Sequence, residues 1–253
     1  MSNTSHIKNQ MQDLKLSGML LSLESSLAEA TQEGLSHTDL LAQLLQAESD
    51  WRQERLITSR IKGAKLKEKP TLEDFDFTAK RSITKTQIKE LFNLGWLKTG
   101  RPMLIIGPTG VGKTFLSQAL GHHACHHKYT VLFMTFSDYL EHQILSRSSN
   151  TYLKFRQKLT KPDLLILDDF GLRKLMPQES HDFNDLLKER GGIKSLIITT
   201  QLPVDHWSEV IEDPVIADTI IDQLIHTSLK LILKGESYRK VTGKKLDAQP
   251  FPD

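Results

Sequence analysis

Eight consecutive residues, Gly107-Pro108-Thr109-Gly110-Val111-Gly112-Lys113-Thr114, have the types and spacing of a loop that wraps a chain of phosphates. Glycines at 107, 110 and 112 let the backbone turn tightly, so that successive N–H groups point inward. Lys113 would reach the outer phosphates of a nucleotide, and the Thr114 hydroxyl would ligate Mg²⁺. The loop follows an apolar run (Met103, Leu104, Ile105, Ile106) and precedes a helix-forming run from Phe115 to His123. Strand, glycine turn and helix N-terminus together also supply a helix dipole that favours negative charge.

A second group of residues completes this chemistry. Leu164-Leu165-Ile166-Leu167 ends in Asp168-Asp169, an apolar strand that delivers two carboxylates as a Walker B motif does. Asp168 is expected in the Mg²⁺ shell and Asp169 beside the attacking water, as general base or water-orienting group. The run Ile197-Ile198-Thr199-Thr200-Gln201 reads as the next strand. A polar residue at its end, Thr200 or Gln201, would lie between the two motifs, where it could hold the water or sense the terminal phosphate. A Thr or Gln there also serves as a simple cap. Arg239 could close over the phosphates from a C-terminal element; taken alone it reads as a surface arginine.

His122/His126 and His123/His127 stand at i,i+4 spacing, which invites a metal reading. Only Cys125 accompanies them, and it points to another face, so a polar helix flank is the preferred reading. Cys125 itself reads as a small buried residue.

These residues need a scaffold, and 253 residues allow one substantial domain with a smaller module. Hydrophobic content of 38% with 25% charged residues is ordinary for a soluble protein. The polar start and the lack of a long apolar stretch speak against a signal peptide or a membrane span. One cysteine leaves no intrachain disulfide, which fits a reducing cytoplasm. Net charge is only +2, but it is segregated. Residues 1–50 carry two bases against seven acids, and residues 51–101 thirteen bases against six acids. Lys154, Arg156, Lys158 and Lys161 form a second basic cluster; Lys230, Lys234, Arg239, Lys240, Lys244 and Lys245 form a third. Clustered bases suit a polyanion partner, although each cluster alone could be a solvated helix face.

Residues 1–70 are expected to form a helical N-terminal module. Leu14, Leu16, Leu20, Leu23 and Leu27 make an irregular apolar face. Ser36 with Asp39 reads as a capping box, followed by Leu40, Leu41, Leu44, Leu45 and Trp51 at helical spacing. A basic amphipathic stretch from Arg52 to Lys69 is expected to end at Pro70. After a connector with Phe75, Phe77, Leu91, Phe92 and Trp96 as packing residues, strands and helices alternate. Strands are expected at 103–106, 131–135, 164–167 and 195–200, with helices at 114–127, 137–160 and 178–190. This is an α/β pattern with a buried parallel sheet.

Taken together, the residues resemble the DnaC/IstB group of AAA+ ATPases, and more closely the IstB-type helper proteins of insertion sequences. Leu14-Lys15-Leu16-Ser17-Gly18-Met19 is similar to the family's opening helix, and Thr71-Leu72-Glu73-Asp74-Phe75-Asp76-Phe77 to its approach to the core. Asp168-Asp169-Phe170-Gly171-Leu172 is similar to its Walker B extension. Gln201-Leu202-Pro203-Val204-Asp205-His206-Trp207 and Ile216-Ala217-Asp218 are closer to the IstB side than to helicase loaders. Lys234-Gly235-Glu236-Ser237-Tyr238-Arg239 matches the closing motif, which makes Arg239 the sensor 2 residue and puts sensor 1 at Thr200/Gln201.

The resemblance implies a P-loop NTPase with a parallel five-stranded sheet over residues 71–253, ending in a short sensor 2 segment. It implies ATP and Mg²⁺, hydrolysis to ADP, a homo-oligomer, non-specific binding of double-stranded DNA and a DDE-type transposase partner. A DnaC-type replicative helicase loader is the alternative within the group; a small-molecule kinase and a DNA scaffold with negligible turnover lie outside it. In one place the chain departs from the family. Asp222-Gln223-Leu224 stands where Asp-Arg-Leu is usual, and that arginine is the candidate finger; with Gln223 there, either hydrolysis in trans is weak or another base, Arg190, Arg173 or Lys230, substitutes.

Overall fold

Short runs of Leu, Ile and Val, apolar on both faces, form the strands of this protein, and helices cover both sides. The computed structural model describes residues 3–71, 74 and 83–235. The chain divides into two units between Ser59 and Arg60, inside one long helix.

In the first unit α1 (Asn3–Asp13) and α2 (Ser17–Glu33) are separated by a tight turn in which Lys15 has a φ of 57°. α3 (His37–Ala64) starts at the expected cap: Ser36 Oγ donates to the Asp39 carboxylate at 2.6 Å and accepts from its N–H at 3.2 Å. Met11, Met19, Leu23 and Leu44 are buried, with Leu16, Leu20 and Leu40 against them. Leu14, Leu27, Leu41 and Leu45 are exposed, which corrects the expected leucine face. The turn at Lys15 breaks the phase between Leu14 and α2. On α3, residues 41 and 45 lie about 100° round the helix from the packed positions 40 and 44. Glu48 is buried and accepts from the Gly18 and Met19 N–H groups, satisfying the first turn of α2 with a carboxylate.

α3 ends at Ala64 rather than Pro70, because Lys65 adopts a left-handed φ of 57° that closes the helix without a proline. In the second unit a Thr84/Gln87 capping box starts α4 (Lys85–Phe92), and α5 (Gly95–Lys98) leads into β1 (Met103–Ile106). α6 (Lys113–His126) and β2 (Val131–Thr135) follow. The single helix expected over 137–160 is two, α7 (Phe136–Ser148) and α8 (Tyr152–Thr160), interrupted where Asn150 takes a φ of 55°. Asn tolerates that conformation better than most residues. β3 (Leu164–Phe170) runs past the acidic pair, and α9 (Pro177–Arg190) leads to β4 (Ser195–Thr200). A 3₁₀ turn (Val204–Glu209), α10 (Pro214–Thr227) and β5 (Leu229–Ile232) complete the described chain.

The five strands form one parallel sheet in the order β2-β3-β4-β1-β5. Side-chain alternation sorts each strand between two cores. Leu104, Leu165, Leu167, Leu196 and Ile198 face α7, α9, α10 and the 3₁₀ turn, where Phe136, Tyr139, Phe183 and Trp207 are buried. Met103, Ile105, Leu164, Ile166 and Ile197 face α4 and α6, with Ile88, Trp96, Leu116, Leu120 and Cys125. Cys125 is fully buried, and burial pushes its thiol up to about 11.

Candidate functional site

β4 lies between β1 and β3 in the sheet, so the loop after β1, the acidic end of β3 and the end of β4 meet at one edge. Ligands of open parallel sheets bind at this carboxyl edge.

The loop has the backbone that phosphate wrapping requires. Gly110 and Gly112 take φ values of 82° and 97°, and Gly112 immediately precedes α6. A Cβ on Gly107 would stand 2.3 Å from the Leu233 carbonyl oxygen, so only glycine fits beneath the strand that follows α10. Pro108 and Thr109 form the exposed outer limb, while Val111 is buried and anchors the loop. Phe115, half-buried in the first turn of α6, packs against the same core. Lys113 is 5% exposed and its ammonium donates to the Pro108 carbonyl at 3.0 Å. Burial lowers its pKa, and the Asp169 and Asp168 charges oppose that shift.

Thr114 Oγ1 lies 2.8 and 3.1 Å from the two Asp168 carboxylate oxygens, joining the two motifs directly. Burial raises the Asp168 pKa, while hydrogen bonds from Thr199 and Thr114 favour the anion. A hydroxyl and a carboxylate held together are hard oxygen ligands of the kind Mg²⁺ takes. At Asp169 the β3–β4 register slips: Leu167 pairs with Ile198 and Phe170 with Thr200, so two residues oppose one. Asp169 has a φ of 61°, a bulge conformation that re-aims its side chain.

At the end of β4, Thr200 is fully buried; its hydroxyl donates to the Phe170 carbonyl at 2.8 Å and accepts from the Leu202 N–H at 3.0 Å. It caps the strand end, the second of the two readings of this position, and its hydroxyl does not face the loop. Alternation gives the reason: residue 200 shares the face of Leu196 and Ile198, whereas 199 and 201 share the face of Ile197 and α6. Gln201 is exposed, and its side-chain oxygen accepts from Thr109 Oγ1 at 2.6 Å. Thr199, which the reading of motifs passed over, donates to Asp168 Oδ1 at 2.6 Å. Counting alternation from Ile197 would have found it.

Arg239 and its neighbours from Glu236 onward lie outside the described residues, as do Phe75 and Phe77. Of the three bases considered as substitutes for the missing finger, Arg190 is excluded. It is 2% exposed and donates to the Leu159, Pro162 and Ser195 carbonyls. Arg173 makes a two-pronged pair with Glu179 at 2.6 and 2.8 Å, and Lys230 is exposed on β5. Gln223 lines a cavity of about 510 Å³ on the opposite edge of the sheet, beside Arg101, Pro102 and Leu196. The His122 and His126 rings meet edge to face, with their Nε2 atoms 3.4 Å apart.

Among the basic clusters, Lys65 and Lys158 are both exposed, and each comes close enough for its charge to act on the other. Burial, then the Lys65 charge, lowers the Lys158 pKa. Arg156, by contrast, is turned inward and pairs with Glu189. Among the described residues no helix is long and apolar enough to cross a membrane.

A parallel sheet in this strand order, with a phosphate loop after β1 and an acidic pair at the end of β3, defines a P-loop protein of the AAA+ type. The chain belongs to the family of IstB-like ATP binding proteins, which residues 9–246 match. It is 35% identical over 237 residues to an insertion-sequence ATP-binding protein of Sinorhizobium fredii, covering 94% of this chain and 97% of that one. A Mycobacterium tuberculosis ATP-binding protein in an insertion sequence is 34% identical over 234 residues, covering 92% and 93%. The crystal structure of the DnaC helicase loader shares the fold with a TM-score of 0.52 at 19% identity, over 59% of this chain and 87% of that one.

Proposed function

We propose that this chain is an ATP-hydrolysing, DNA-binding oligomer that prepares target DNA for a DDE-type transposase. The observation that carries the ATPase reading is the contact between Thr114 and Asp168, which joins a phosphate loop to an acidic strand end with oxygens of the kind Mg²⁺ takes. The insertion-sequence relatives support the transposition setting.

In this reading the loop N–H groups and the dipole of α6 receive the phosphates. Lys113 leaves the Pro108 carbonyl and pairs with the β- and γ-phosphate oxygens. Thr114 and Asp168 would hold Mg²⁺, which neutralises charge developing on the transferred phosphoryl group. Asp169 orients the attacking water and takes its proton. Gln201, tied to Thr109, reaches over the loop towards the γ-phosphate, and Arg239 closes from the C-terminal side. The helical module of residues 1–70 contributes to assembly and to DNA or partner contacts. The exposed Lys65 and Lys158, whose charges act on each other, support a polyanion ligand, since a phosphate near both would relieve their repulsion.

Steady-state ATP hydrolysis with and without linear duplex DNA tests the proposal, with Lys113→Ala as the control. DNA should stimulate turnover, and Lys113→Ala should abolish it. Turnover indifferent to DNA, from a protein that stays monomeric with ATP, would sink the assembly reading.

A further inference from the structure

Two acidic residues in sequence cannot both point to one face of a regular strand, because side chains alternate. Asp168 shares the face of Leu164 and Ile166, towards α6. Asp169 would fall on the opposite face if β3 continued unbroken. The bulge changes this by placing Asp168 and Asp169 together opposite the single residue Thr199. It also puts Asp169 at a φ of 61°, costly for a residue with a Cβ, and takes its N–H out of the regular ladder.

Thr199 meets both consequences with one hydroxyl. Its oxygen accepts from the Asp169 N–H at 2.9 Å, and its proton goes to Asp168 Oδ1 at 2.6 Å. Thr199 is fully buried, so water cannot replace either bond. With Oδ1 tethered on the β4 side, Oδ2 is the oxygen nearer Thr114, at 2.8 Å.

We infer that Thr199 is the positioning residue of the acidic pair: its hydroxyl aims the Asp168 carboxylate at the magnesium site and pins the Asp169 backbone in its bulge. Only the kinetic part of this inference rests on the proposed ATP hydrolysis; the metal part does not. Groups that orient a metal ligand are typically worth about 10- to 100-fold in metal affinity or activity when removed.

The test compares Thr199→Val, which keeps the shape and removes the hydroxyl, with Thr199→Ser, which keeps the hydroxyl. A fluorescent ATP analogue is titrated with Mg²⁺ and with EDTA, and kcat and KM are measured in parallel. In Thr199→Val, binding in EDTA should stay within about twofold of wild type, while the tightening produced by Mg²⁺ should fall by about tenfold. Its kcat should fall by about 10- to 100-fold with KM nearly constant, and Thr199→Ser should recover both to within about threefold.

Mg²⁺ tightening unchanged in Thr199→Val overturns the inference. So does a Thr199→Ser protein as impaired as Thr199→Val, which would mean that volume and not the hydroxyl matters. A wild-type protein that does not hydrolyse ATP, while Thr199→Val still loses Mg²⁺ tightening, would sink the ATPase proposal and leave the positioning role standing.

Discussion

The Thr109 hydroxyl, on the outer limb of the phosphate loop, donates to the side-chain oxygen of Gln201 across 2.6 Å. This bond ties the loop to the end of β4. Both side chains are exposed, so the bond adds little to stability and its importance is one of place. Gln201→Ala should lower kcat by about 100-fold, the scale of losing one preorganised donor at a developing charge. Nucleotide affinity and Tm should hardly change. Hydrolysis kinetics beside a binding titration checks this; affinity falling in step with kcat would assign Gln201 to ground-state binding.

Arg190 is predicted to be structural. Its guanidinium replaces solvent with the Leu159, Pro162 and Ser195 carbonyls, gathering the end of α8, the start of β3 and β4 at the edge opposite the phosphates. Burial pushes its pKa down to about 10, so the carbonyls only partly offset the lost hydration. Arg190→Ala should destabilise the protein by about 3 kcal/mol, because the carbonyls lose their partners in a buried place. Arg190→Lys should recover little, since an ammonium lacks the planar fork. Urea unfolding measures both. If Arg190→Ala folds normally and loses only DNA-stimulated turnover, the residue acts on a neighbouring subunit after all.

Much of the site was legible because its residues are contiguous. Gly107 to Thr114 and Leu164 to Asp169 declare themselves without knowledge of the fold, and the alternation of strands and helices around them gives the parallel sheet, though not its strand order. Thr199 was hidden because its role depends on parity along β4 and on a bulge in β3, and neither leaves a local mark. Thr200, adjacent and chemically identical, drew the attention instead. The same limit applies in the first unit. Leu41 and Leu45 have the periodicity of a packed face, but residues 40 and 44, about 100° round α3, have the same periodicity and take the core.

Asp182 should make stability depend on acid pH. Its carboxylate accepts from Arg147 Nε at 3.0 Å, Tyr152 Oη at 2.9 Å and Gln178 Nε2 at 3.1 Å, and Gln143 donates as well, so α7, α8 and α9 share one anion. Burial alone would raise its pKa; the bonds from Arg147, Tyr152 and Gln143 overcome this and hold it below the ordinary carboxylate range. A depressed folded pKa means stability that is complete above the unfolded value, about 3.9, and is lost as pH falls through the folded one. Asp182→Asn should therefore cost about 2–3 kcal/mol at pH 7, with allowance for the partly exposed Arg147. The difference from wild type should narrow as pH drops below about 4. Urea unfolding at several pH values reads this directly, and a gap independent of pH would refute the charge as its cause.

Lys65 and Lys158 provide the clearest test of DNA contact. They come from the turn after α3 and from α8, so their approach is made by the fold and not by sequence proximity. Each lysine that neutralises a phosphate displaces condensed counterions, which contributes about 0.9 to the slope of log K against log salt. Lys65→Ala with Lys158→Ala should weaken duplex binding regardless of sequence and flatten that slope by roughly 2 units. Free of DNA, the double variant should be no less stable than wild type, because a repulsive pair has been removed. Fluorescence anisotropy with a labelled duplex over a range of NaCl concentrations gives the slope. An unchanged slope would mean that the pair does not meet phosphate, and that the polyanion is held by other bases.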